Sequence, residues 1–105
     1  MLVDFEPARA GEANKIRPSI LITNNQANLY GTSVMVVPLT SNLTKIYPFQ
    51  LFLPSEQTGL DADSKAQVEL TRSVSKSRLG KQIGSLPQSL LGQLEERLKL
   101  HLGLS

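Results

Sequence analysis

The chain predicts a small, mainly β (α+β) domain: five or six short strands in a strongly bent sheet or half-open barrel, capped by one C-terminal amphipathic helix. Three observations predict it. Short β-branched and apolar runs recur from Leu2 to about Thr71, separated by Pro, Gly and Asn. Leucines take up helical spacing only after Pro87. The 105 residues suffice for one domain, 1–105, with a modest core that dimerisation would help to stabilise.

Leu2 to Phe5 reads as a short strand closed by Glu6-Pro7, followed by a polar, small-residue loop from Ala8 to Lys15 without helical period. Ser19 to Thr23 is a β-rich run stopped by Asn24-Asn25, whose side chains compete with the backbone and favour turns. Ser33 to Leu39, holding Val34, Val36 and Val37, has almost no polar face and is expected to be the central, most buried strand. Tyr47 to Leu53 is a further apolar run in which Pro48 is restricted to a strand start or edge, and Pro54 closes it. After a turn at Gly59-Leu60-Asp61, alternation from Ala66 through Val68 and Leu70 predicts a strand with Gln67, Glu69 and Thr71 on its wet side. Leu90, Leu91, Leu94, Leu98 and Leu102 then predict a helix from Pro87, about 24 Å long, with Ser85 and Pro87 as its start signals.

Composition removes several classes. There is no cysteine, hence no disulfide or thiolate metal site. No apolar run approaches the roughly 20 residues that cross a bilayer, and the N-terminus lacks the pattern of a signal peptide, so a cytoplasmic protein without a membrane partner is expected. A net charge of +2 decides little, because affinity for a polyanion depends on phosphates neutralised locally. Lys15, Arg17 and Lys45 nevertheless fall at loops or strand mouths and could form a local basic rim. No metal-ligand cluster, P-loop or Gly-x-Ser-x-Gly elbow is present, and no cofactor is expected. His101 is the only histidine, which excludes a two-imidazole ribonuclease mechanism; it reads as a surface or helix-end residue.

Two stretches carry the chemistry: Ile16-Arg17-Pro18-Ser19-Ile20-Leu21-Ile22-Thr23 and Val36-Val37-Pro38-Leu39-Thr40-Ser41. Each sets a polar residue at the edge of an apolar strand, and an arginine with a hydroxyl on neighbouring strands would make a phosphate site. Taken singly, Arg17 is open to pairing with a carboxylate such as Glu69, and Thr40 to satisfying a turn. Glu12 is open to being a solvated loop glutamate, or else it orients the guanidinium or accepts a proton.

The ordered set Leu2-Val3-Asp4-Phe5-Glu6-Pro7, Gly11-Glu12, Arg17-Pro18-Ser19-Ile20-Leu21-Ile22, Pro38-Leu39-Thr40-Ser41 and Glu69-Leu70-Thr71-Arg72-Ser73 resembles the MazF/PemK family of toxins over essentially the whole chain. The resemblance implies an SH3-like, CcdB/MazF plasmid-toxin-type β-barrel with a C-terminal helix. It implies a homodimer that cuts single-stranded RNA without a metal, and a cognate antitoxin whose acidic, flexible tail occupies the RNA groove. The family's catalytic arginine falls on Arg17 and its catalytic threonine on Thr40. The expected reaction is attack of the ribose 2′-hydroxyl on the adjacent phosphorus, leaving a 2′,3′-cyclic phosphate and a 5′-hydroxyl. Arg17 would stabilise charge on the non-bridging oxygens and Thr40 would donate one further hydrogen bond. Arginine is a poor base at neutral pH, so Glu12 is the candidate base, or else it holds Arg17 in register. Lys15, Lys45 and Arg72 would neutralise flanking phosphates, while Ser41 and Tyr47 hydrogen-bond or stack on unpaired bases.

The chain departs from the family pattern in two places. Family members carry a basic-Gly-acidic-Ile-aromatic stretch before the Leu-Val-Asp-Phe equivalent, whereas Met1 here leads directly into Leu2, so the first strand is expected to be short. The Gly-rich loop after the glutamate is replaced by Ala13-Asn14-Lys15, which is expected to alter RNA preference. Two other functions share the fold: a CcdB-like toxin that binds DNA gyrase, and an inactive barrel that only binds its antitoxin. The lack of tryptophan and the ending His101-Leu102-Gly103-Leu104-Ser105 speak against the gyrase reading.

Overall fold

The computed structural model describes residues 2–5, 17–22 and 31–103. Among these residues seven strands make one antiparallel sheet: β1 (Leu2–Phe5), β2 (Arg17–Leu21), β3 (Ser33–Thr40), β4 (Leu51–Leu53), β5 (Ser64–Ala66), β6 (Arg72–Ser75) and β7 (Leu79–Gly84). Their order is β4-β5-β3-β2-β1-β7, with β6 also on β3. A one-turn helix α1 (Ser55–Thr58) follows β4, and α2 (Gln88–Leu102) ends the fold.

β3 is central, as its valines predict. Val37 and Leu39 join Leu2, Ile20, Leu53 and Ala66 in the main core, against Leu90 and Leu94 of α2. Val34 and Val36 project to the other side, into a smaller cluster with Leu21 and Val74. The expectation of almost no polar face fails at the strand's start, where Ser33 and Met35 are exposed. Thr40 shares the side of Val34 and Val36 by the period of two, so α2 covers the opposite face of the sheet.

Two predicted strands are shorter than expected. Tyr47 to Gln50 forms a turn, the Gln50 N–H donating to the Tyr47 carbonyl at 2.9 Å, and only Leu51–Leu53 is strand. Pro48 takes the second position of that turn, where its fixed φ is favourable. The strand expected from Ala66 to Thr71 is broken: β5 ends at Ala66, Val68–Leu70 is a 3-10 turn, and β6 starts at Arg72. Pro38 supplies the physical reason. Its carbonyl accepts the Gln67 N–H at 2.9 Å, but proline has no N–H to return, and the partner chain leaves the ladder at that point. Instead of sharing a surface, Glu69 turns to Gln50 and the Thr71 hydroxyl to the Val68 carbonyl.

α2 starts at Gln88, with Pro87 just ahead of it. Leu90 and Leu94 are buried and Leu98 packs on the same core, each full leucine contributing about 1.5–3 kcal/mol. Leu102 is 63% exposed, so the buried stripe ends a turn before the helix does. Gly103, at φ +72°, supplies the left-handed cap. This helix is too short to cross a membrane, as is every described helix.

The two edge strands approach each other through α1. A Cβ on Gly84 of β7 would lie 2.6 Å from the Thr58 carbonyl oxygen at the end of α1. The Thr58 oxygen is backbone and the added Cβ is fixed to its own backbone, so neither can yield cheaply. Gly84→Ala is therefore expected to cost about 1–3 kcal/mol, read as a lowered midpoint in chemical denaturation; an unchanged midpoint would mean that the edges are not held at this spacing.

Candidate active site

Strand register brings the two key positions together. β2 and β3 pair Ser19 with Pro38, Ile20 with Val37 and Leu21 with Val36. Carried two positions further, the same register sets position 17 against position 40, at one end of adjacent strands. Arg17 also lies across from Phe5 of β1, and Thr40 across from Lys65 of β5. Arg17 is thus within a strand that begins two residues earlier than the expected Ser19. Glu12 and Lys15 lie outside the described residues.

Thr40 ends β3 half-buried, and its hydroxyl oxygen accepts the Asn42 N–H at 3.2 Å. Asn42 Oδ1 in turn accepts the Thr44 N–H at 3.2 Å, so two side-chain turns fix the start of the 41–50 loop. Ser41 follows Thr40 and is exposed.

Further along the loop, Lys45 and Tyr47 are exposed neighbours. The Lys45 ammonium stands 4.6 Å from the centre of the Tyr47 ring. That ring stacks on Phe49 at 5.4 Å and 9°, and Phe49 meets His101 of α2 at 6.1 Å. His101 is exposed in the last turn of its helix, where a cation is favourable. Arg72 is exposed at the start of β6 opposite Val36, which puts it on the Thr40 side of the sheet but four residues, or about 13 Å, along β3.

Two residues that nothing in the sequence singles out hold this loop. Gln50, 4% exposed, accepts the Tyr47 N–H at 3.1 Å and donates to Glu69 Oε2 at 2.7 Å. Its carbonyl accepts from Arg97 Nε of α2 at 3.2 Å. Glu69 Oε1 is buried without a hydrogen-bond partner among the described residues. Lys65, also buried, donates from Nζ to the Lys45 carbonyl. A lone Gln after an aromatic and a lone Lys between Ser and Ala carry no motif, and only strand register reveals their neighbours. Among the described residues no group of three or more His, Cys, Asp or Glu converges as for a metal.

One end of the antiparallel sheet thus gathers an arginine position and a hydroxyl on adjacent strands beside the loop that bears Lys45, with a helix on the far face. Residues 1–102 match the family described as PemK-like, MazF-like toxin of type II toxin-antitoxin system. The chain belongs to that family. It is 47% identical over 107 residues to endoribonuclease MazF9 of Mycobacterium tuberculosis, covering 97% of this chain and 91% of that one. Among solved structures, the Mycobacterium tuberculosis toxin MazF-mt6 shares the fold with a TM-score of 0.83 at 22% identity, over 100% of this chain and 99% of that one. A chain of the MazE-MazF crystal structure (form II) from Deinococcus radiodurans does so with a TM-score of 0.80 at 24% identity, over 99% and 92%.

Proposed function

We propose that this MazF-family endoribonuclease cleaves single-stranded RNA by internal transesterification, without a metal, at Arg17 and Thr40. The observation that carries the reading is the state of the Thr40 hydroxyl. Its oxygen already accepts the Asn42 N–H, so its own proton is left to donate to a phosphate oxygen at the end of β3. The register brings position 17 alongside, where a guanidinium can fork onto two phosphate oxygens. The 2′-oxygen bonds to phosphorus as the bond to the 5′-oxygen breaks; Glu12 takes the 2′ proton and the leaving oxygen receives one from water. Lys15, Lys45 and Arg72 neutralise flanking phosphates, and Ser41 and Tyr47 contact bases. Lys45 beside Tyr47 gives this assignment a basic and aromatic pair on one exposed loop. The protein acts as a homodimer in the cytoplasm, and a cognate antitoxin with an acidic, flexible tail restrains it.

Incubating the purified protein with a long single-stranded RNA in EDTA, then mapping fragment ends, tests this reading. Fragments should carry 5′-hydroxyl and 2′,3′-cyclic phosphate ends. Intact RNA from demonstrably folded protein overturns the activity, whereas cleavage that EDTA abolishes and magnesium restores overturns metal independence alone.

A further inference from the structure

Lys65 takes part in none of the steps above, yet its position is unusual. The residue is 8% exposed, and among the described residues no carboxylate pairs with its ammonium. An ammonium withdrawn from water without a counter-charge is costly, and its Nζ has the Lys45 carbonyl as its hydrogen-bond partner. Lysine carries three donors, so two remain beyond that bond.

The sheet decides what lies beside this charge. Lys65 pairs directly with Thr40 on one side and with Phe52 on the other. Side chains directly opposite each other in an antiparallel pair leave on the same face, with Cβ atoms about 5 Å apart. The Lys65 stem therefore rises next to Thr40, and its ammonium ends under the loop that carries Lys45. Position 17 continues the same row on the far side of Thr40.

We infer that Lys65 is a fixed positive charge of the RNA site, binding a phosphate of the single strand that lies across Thr40. This rests on the reading of Thr40 as catalytic. The carbonyl of Lys45 holds the ammonium in place, and with no carboxylate among the described residues paired to it, its charge is left for the polyanion. A charge so placed acts on binding, and its effect fades as salt screens the strand.

Three substitutions separate this charge from a merely structural anchor. Lys65→Gln keeps a donor for the Lys45 carbonyl but removes the charge; Lys65→Met removes both and keeps much of the stem; Lys65→Arg keeps both. Binding is measured by fluorescence anisotropy over a salt series, using a short 2′-O-methyl version of an RNA site that the parent cuts, which cannot react. Lys65→Gln and Lys65→Met should bind about tenfold more weakly at low salt, with a log–log salt slope shallower by about 0.7, the contribution of one phosphate on a single strand. Lys65→Arg should keep the parent slope. A Lys65→Gln protein with the parent's slope and affinity overturns the inference, even if Lys65→Met unfolds or binds poorly, because only the anchor would then matter. Failure of the parent itself to cut or bind RNA overturns the ribonuclease reading, and the inference with it, before any variant is compared.

Discussion

Thr40→Ala is expected to slow RNA cleavage about a hundred- to a thousandfold, the loss of about 2.7–4 kcal/mol that follows removal of one pre-positioned donor to a developing oxyanion. The fold should hardly notice. Thr40 ends its strand, and the Asn42 N–H that would lose its acceptor is exposed and can turn to water. Thr40→Ser keeps the hydroxyl, the Asn42 contact and the donatable proton, and should retain most of the rate; Thr40→Val keeps the shape and should behave like alanine. Arg17→Ala should fall by a similar factor, and the double variant by less than the product, because in the proposed mechanism both groups serve one phosphate. Single-turnover rates at saturating enzyme, with a melting curve for each variant, decide the matter. A Thr40→Ala protein that cuts within about tenfold of the parent would remove the hydroxyl from the mechanism.

Gln50→Leu should be the most damaging of the changes in the loop. The amide side chain satisfies Tyr47 N–H at one end and Glu69 Oε2 at the other. Leucine fills similar space but strands both groups, and Glu69 Oε1 already has no partner among the described residues. A carboxylate left with neither oxygen bonded should cost about 3 kcal/mol, a large part of a total stability of roughly 5–15 kcal/mol. Replacing both ends, Gln50→Leu with Glu69→Leu, removes the stranded carboxylate and should recover part of that loss. Urea titration of the two singles and the double gives the coupling directly. Strict additivity would show that the short contact in the structure is energetically idle.

The elements legible in the sequence are those in which one rule dominates. The period of Leu90, Leu94 and Leu98 places α2 because a helix covering a sheet needs only a stripe. The valines of β3 place it at the centre because nothing polar competes for most of its length. The runs at 47–53 and 66–71 read as strands because apolar content and alternation carry no information about the partner strand. Tyr47–Gln50 turns since Pro48 suits its second position, and 68–70 coils since the chain opposite cannot complete the ladder. Arg17 and Thr40 stand out through the resemblance to the family, whereas Lys65 and Gln50 do not. Their importance comes from register and from bonds across the chain, Gln50 to Glu69 spanning 19 positions. Such pairs leave no local pattern.

Pro38 shapes the loop beyond Thr40 through what it lacks. Between Gln67, bonded to its carbonyl, and Arg72, which pairs with Val36, the partner chain fits residues 68–71 opposite Val37 alone. Those surplus residues are the slack that lets Glu69 swing out of the sheet and reach Gln50. An ordinary amino acid at position 38 would supply the missing hydrogen and invite the sheet to zip closed through that point. Glu69 would then become one more rung, and the loop bearing Lys45 and Tyr47 would lose its mooring. A single imino acid in the central strand thus acts as a spacer, setting the shape of a loop that begins three residues beyond it.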